Sequence, residues 1–179
     1  MGRYTCPQER ANMATHERRE LAGVRCWVVT VSDTRSEDTD ESGRLIRQRL
    51  AAAGHPVVGY RLVKDELKQI REVLEEIKAD QAAQVAILNG GTGISPRDVT
   101  CEALAPFLTK ELPGFGELFR YLSYQEVGAF AMLSRALAGL MGRKLVFALP
   151  GSTAAVALAM DKLILPVLGH AAYELERRP

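Results

Sequence analysis

Apolar and polar positions along the chain fall into two alternating patterns. Cys26 to Val31 (CWVVTV) is an unbroken apolar, β-branched run, the pattern of a strand covered on both faces. Glu41 to Ala53 carries Leu45, Ile46 and Leu50 between charges, and Gly54 follows, which predicts a helix with a glycine stop. Val57 to Val63 predicts a second strand. Asp65 opens a helix with Leu67, Ile70, Val73, Leu74 and Ile77 on one face. Gln84 to Leu88 predicts a third strand. Asp98 to Leu108, Pro113 to Tyr124 and Gln125 to Leu140 predict helices, the last two with glycine breaks. Lys144 to Leu149 (KLVFAL) predicts a fourth buried strand, and Ser152 to Leu165, apolar nearly all round, a buried helix. Strands alternating with helices imply an α/β doubly wound domain, a mostly parallel sheet with helices on both faces.

Length and composition narrow the class. The 179 residues predict one domain, with 47 % hydrophobic and 25 % charged residues. Residues 1–21 are polar and aperiodic and are expected to be a flexible tail. Residues 22–179 are expected to form the single folded domain. The net charge of +1 argues against a strongly basic nucleic-acid binder. Cys6, Cys26 and Cys101 are few and scattered, which fits a reducing cytoplasm rather than a disulfide scaffold. The apolar stretch from Leu145 to Leu168 is broken by Pro150-Gly151-Ser152 and Asp161-Lys162, so no membrane span is expected.

Candidate chemistry follows the strands. Ser32-Asp33-Thr34 follows the first, Lys64-Asp65-Glu66 the second, Gly90-Gly91-Thr92-Gly93 the third and Pro150-Gly151-Ser152-Thr153 the fourth. Open α/β sheets bind ligands outside the carboxyl ends of their strands. The glycine loop lets backbone amides approach an anion, although it is neither a Walker A loop nor a GxGxxG fingerprint, and a tight structural turn reads equally well. Asp65 and Asp98 each sit where a helix begins and can cap it. They can equally hold Mg²⁺, which takes one or two carboxylates and completes its shell with phosphate oxygens and water. Asp33 with Arg35 reads as a turn salt bridge, Arg135 as a paired structural arginine or an anion ligand, and Glu117 as a first-turn acid.

Together the motifs TVSDTR, LNGGTGISPRDVT, ELPGFGELFR, SRALAG and ALPGST resemble the MogA/MoaB family of molybdenum cofactor biosynthesis, to which the gephyrin G domain is related. The resemblance covers residues ~24–175. It implies a three-layer α/β domain, usually a homotrimer and sometimes a hexamer. It also implies transfer of AMP from Mg-ATP to the terminal phosphate of molybdopterin, with release of pyrophosphate, ahead of a downstream molybdate-insertion protein. Asp65 and Asp98 then look like the catalytic acids that organise Mg²⁺ with ATP. Gly90, Gly91, Thr92 and Gly93 look like phosphate holders. Ser32, Asp33, Ser134, Arg135, Pro150, Gly151 and Ser152 look like pocket lining, and Glu117 matches the PGFGE motif. The LPGST ending and FRYLSYQEVG are similar to the MoaB branch. A molybdopterin carrier without turnover is the alternative on the same fold. An interaction module with purely structural loops and a nucleotide enzyme of another pathway are the remaining rivals.

Overall fold

Alternation along the central strands splits the core into two layers. The computed structural model describes residues 19–177. In β1 (Cys26–Val31), Cys26 and Val28 face one side while Trp27, Val29 and Val31 face the other, and every residue is buried. β3 (Val85–Asn89) and β6 (Lys144–Leu149) repeat this division. Neither face meets water, which is why these strands read as continuous apolar runs.

With β2 (Val57–Val63), β4 (Lys110–Glu111) and β5 (Leu137–Met141), the strands form one sheet in the order β2-β1-β3-β6-β5-β4. The first four are mutually parallel, and β5 and β4 join antiparallel at the edge. α1 (Glu41–Ala52), α4 (Pro113–Val127), α5 (Thr153–Ala159) and α6 (Leu165–Glu176) cover one face through Ile46, Leu50, Phe119, Val156, Ile164 and Leu168. α2 (Leu67–Ala79) and α3 (Thr100–Leu104) cover the other through Ile70, Leu74, Ile77 and Leu104. This is the expected three-layer, mostly parallel α/β arrangement.

Four local expectations change. The helix expected over 125–140 is not formed: α4 runs to Val127, Gly128 stops it at φ +62, a 3₁₀ stretch follows, and Leu137–Met141 is β5. Pairing with β6 overrides the local helical pattern there. α2 and α3 start at Leu67 and Thr100, two residues beyond Asp65 and Asp98, and neither acid caps its helix. The helix beginning at Ser152 is buried along one stripe only, at Val156, Ala159, Met160 and Ile164. It also runs past Leu165, its expected end, through a π-turn, Met160–Ile164, into α6. The π-turn accommodates Pro166, which lacks an N–H and crowds the carbonyl four residues earlier. Thr153–Glu176 is thus long and apolar enough to cross a membrane by length and composition. Its inner stripe is nonetheless packed into the core, and Asp161 accepts from Arg49 of α1 at 3.1 Å.

Of the expected tail, residues 1–18 lie outside the described residues. Arg19–Leu21 lie along α6: the Leu21 amide donates to the Gly169 carbonyl at 3.0 Å, and the Arg19 carbonyl meets His170 Nδ1 at 3.1 Å.

Candidate functional site at the carboxyl edge of the sheet

Three strand ends meet through bare backbone. Gly90 ends β3 at φ +100, and its amide donates to the Leu149 carbonyl of β6 at 2.9 Å. A Cβ there would overlap the Val31 carbonyl of β1, and a Cβ on Gly151 would stand 3.1 Å from the Gly90 Cα. Gly91 follows at φ +62, with the Asp65 carboxylate 2.7 Å from where its Cβ would be. Two successive glycines at positive φ let the backbone turn sharply here and approach a ligand closely. Thr92 is buried, and its hydroxyl has no hydrogen-bond partner.

The acids converge on this loop. Asp65 donates its amide to Asp33 Oδ1 at 3.2 Å. Burial pushes its carboxyl above the usual range, and the negative charges of Asp33 and Asp98 push the same way. Asp98 Oδ2 accepts from the Ser95 amide at 2.8 Å and stands 2.9 Å from where a Cβ on Gly93 would be. A carboxylate whose charge is disfavoured in this way suits a nearby cation. Among the described residues no group of three or more His, Cys, Asp or Glu could hold a metal ion. The pair therefore fits Mg²⁺ only with further oxygens from a ligand, which is how Mg²⁺ is usually held beside phosphates.

The cations are arranged differently from the expectation. Arg135 donates from Nε to the Gly93 carbonyl at 2.7 Å, from Nη2 to the Asp98 carbonyl at 2.6 Å and from Nη1 to Glu102. Its amide donates to the Thr92 carbonyl at 2.9 Å. The guanidinium thus clamps the glycine loop from behind. Arg35 does not pair with Asp33. It lies 3.5 Å from Asp40 and donates to Ser42 and, at 2.8 Å, to the Gly151 carbonyl. Asp33 is held instead by Arg97, with Nε to Oδ2 and Nη2 to Oδ1 both at 2.9 Å. That arginine holds the Asp33 carboxyl below the usual range.

Sequence reasoning passed over a buried polar knot beneath the loop. Asp40 is fully buried and accepts from Thr30 Oγ1 at 2.6 Å, the Tyr60 hydroxyl at 2.8 Å, the Gly43 amide at 3.0 Å and Ser42 Oγ at 3.2 Å. Burial alone would raise its carboxyl, but these donors outweigh burial and hold it below the usual range. Asn89 joins the knot, donating to Thr30 Oγ1 at 2.9 Å and, at 2.8 Å, sharing with Asp40 the single hydroxyl hydrogen of Ser42. Asp40 caps α1 through the Gly43 amide, and the Asp-x-Ser-Gly spacing was the available signal.

The remaining expected residues divide. Ser32 Oγ accepts from the Arg35 amide at 3.2 Å and shapes the turn after β1. Pro150 and Gly151 reach the edge at the end of β6, and Ser152 caps α5 by accepting from the Ala155 amide at 3.3 Å. Ser134 Oγ accepts from the Ala136 amide at 3.3 Å, beside the Arg135 clamp. Glu117 is not brought to the glycine loop. It lies exposed on α4, lining a separate shallow cavity with Leu112, Gly116, Arg120 and Ala138.

The fold and this edge define a molybdopterin-binding type of domain: residues 27–170 match the family model described as a probable molybdopterin binding domain. Molybdenum cofactor biosynthesis protein B of Bacillus cereus is 49 % identical over 168 residues, 93 % of this chain and 99 % of that protein. A crystal structure of a molybdenum cofactor biosynthesis protein B superposes with TM-score 0.84 at 53 % identity, covering 87 % of this chain and 97 % of that one. The MoaB structure from Thermus thermophilus superposes at 0.75 with 38 % identity, covering 87 % and 98 %. The chain belongs to the MogA/MoaB family of molybdenum cofactor biosynthesis, on its MoaB branch.

Proposed function

We propose that this chain transfers AMP from Mg-ATP to the terminal phosphate of molybdopterin. An oxygen of that phosphate attacks the α-phosphorus of ATP, the bond from the α-phosphorus to the β-bridging oxygen breaks, and pyrophosphate leaves. The adenylylated pterin then passes to the protein that inserts molybdate.

One observation carries this reading. Asp65 is a partly buried carboxylate that caps nothing, stands against Gly91 of the glycine loop, and is pushed up by burial and by Asp33 and Asp98. A structural turn does not need such an acid, whereas a site that receives a cation does. Asp65 and Asp98 would hold Mg²⁺, which when bound neutralises charge on the triphosphate. The Gly91, Thr92 and Gly93 amides would orient the phosphates, the Gly90 amide being held by the Leu149 carbonyl, and a ligand acceptor at the loop would satisfy the Thr92 hydroxyl. Nucleotidyl transfer asks mainly for positioning and charge stabilisation. Buried Cys26, with its thiol pushed up to about 12, and Cys101, pushed up to about 11, have no part in it.

Self-association belongs to the same proposal. Leu118, Tyr121, Val127, Phe130 and Met132 of α4 and the following 3₁₀ stretch are all more than half exposed, an apolar surface of the kind a second copy covers.

The direct test is to incubate the protein with molybdopterin and Mg-ATP and to seek adenylylated pterin by mass spectrometry, with an EDTA control. Product that vanishes with EDTA supports the reading. Bound pterin without product supports the carrier instead.

A further inference from the structure

The proposed reaction leaves a charge question that the assigned residues do not answer: which cation meets the triphosphate. Among the described residues, two of the three arginines at this edge are already engaged. Arg135 holds the Gly93 and Asp98 carbonyls and Glu102, and Arg35 holds Asp40, Ser42 and the Gly151 carbonyl. Lys64 donates to the Asp33 carbonyl at 2.5 Å. Arg97 is different. It immediately precedes Asp98, and its side chain is 58 % exposed. Its side-chain hydrogen bonds go to one group, the Asp33 carboxylate, through Nε and Nη2 at 2.9 Å each.

A guanidinium carries two forks. Asp33 occupies the Nε/Nη2 fork, so both hydrogens of Nη1 and the second hydrogen of Nη2 stay available for another bidentate anion. A carboxylate on one edge also fixes the plane of the group, so the second edge is presented in one orientation rather than sampled.

We propose that Arg97, aimed by Asp33, is the residue that binds the β- and γ-phosphates of the nucleoside triphosphate, with Asp33 acting as its positioning residue. The proposal rests on the adenylyl-transfer reading. Phosphates that Asp65 and Asp98 would hold through Mg²⁺ would meet Arg97, the chain neighbour of Asp98, and among the described residues Arg135 and Arg35 have both Nη groups engaged elsewhere. Arg97 then gathers the charge that accumulates on departing pyrophosphate. AMP, which lacks the β- and γ-phosphates, does not use it.

The test is calorimetric titration of the full chain with Mg-ATP, with AMP and with molybdopterin, for wild type, R97A, R97K, D33N and the double variant D33N/R97A. R97A is expected to weaken Mg-ATP binding about tenfold or more, the scale of a lost charge-assisted pair, while AMP and molybdopterin affinities hold. R97K should recover little, because an ammonium cannot serve Asp33 and a phosphate from two flat edges. D33N should weaken Mg-ATP binding in the wild-type background and add no further loss to R97A, a non-additivity that a merely structural Asp33 would not give. Equal loss of ATP and AMP affinity, or Mg-ATP binding by R97A at wild-type strength, overturns the assignment. If wild type binds molybdopterin but not Mg-ATP, the adenylyl-transfer reading itself fails and this one falls with it.

Discussion

Asp40→Asn isolates the buried knot with a near-isosteric change. The carboxylate accepts from Thr30 and Tyr60 at Oδ2 and from Gly43 and Ser42 at Oδ1, with the Arg35 guanidinium 3.5 Å away. An amide keeps one acceptor oxygen and turns the other into a donor. If the NH₂ takes the Oδ2 place, two hydroxyls lose their acceptor. If it takes the Oδ1 place, the Gly43 amide loses its acceptor, Ser42 keeps Asn89 Oδ1, and a donor faces Arg35. Each buried donor left unpaired costs about 1–3 kcal/mol. The hydroxyls can rotate to recover part of this, so we expect a net loss of about 2–4 kcal/mol. For a chain of this size that lowers Tm by about 5–15 °C. The assay is urea unfolding of wild type and variant at equal protein concentration, followed by fluorescence of Trp27, the one tryptophan. A loss below about 0.5 kcal/mol, the range of ordinary surface changes, would refute the account of Asp40 as a fully satisfied buried acceptor.

Other outcomes follow from the same geometry. Asp98→Asn should leave Tm nearly unchanged, because Asn still accepts from the Ser95 amide, yet stop adenylyl transfer; retained turnover would remove the metal role. Asp65 is raised, so its proton is held to higher pH than in an ordinary carboxyl. Protonation discharges the proposed cation ligand, and the acid limb of the pH–rate profile should lie above the usual 3.8. Gly90→Ala should impair folding, since its Cβ meets the Val31 carbonyl at φ +100, whereas Gly114→Ala, in open space in the first turn of α4, should be neutral or slightly stabilising. Phe130→Ser with Met132→Ser should shift the chain toward monomer by light scattering if the apolar surface is covered by a second copy.

The architecture was legible because the central strands are buried on both faces and leave unbroken apolar runs, as in CWVVTV. The α2 stripe was legible for the complementary reason, a single wet face. β5 was not: LAGLM is short and rich in small residues, and its partners β6 and β4 make it a strand. At the site, the loops after the strands marked the right edge, yet partners across it were invisible to local reading. Asp33 sits two residues from Arg35 but pairs with Arg97, 64 positions on. Asp40 could not be picked out locally as a knot, because the donors that surround it come from β1, β2 and α1. Arg135 reads from the sequence as a paired structural arginine or an anion ligand, and its partners, the Gly93 and Asp98 carbonyls, lie 42 and 37 positions away in the chain.

The clamp has an evolutionary corollary. Arg135 grips Gly93 and Asp98 by their carbonyl oxygens, atoms that every residue possesses. Between those two points Ile94, Ser95 and Pro96 are exposed. Their side chains can drift, or be exchanged by an engineer, without loosening the grip, whereas Arg135 has no equivalent replacement. The rim of the site is therefore the place where relatives can diverge in whom they meet while keeping the loop beneath it in one shape.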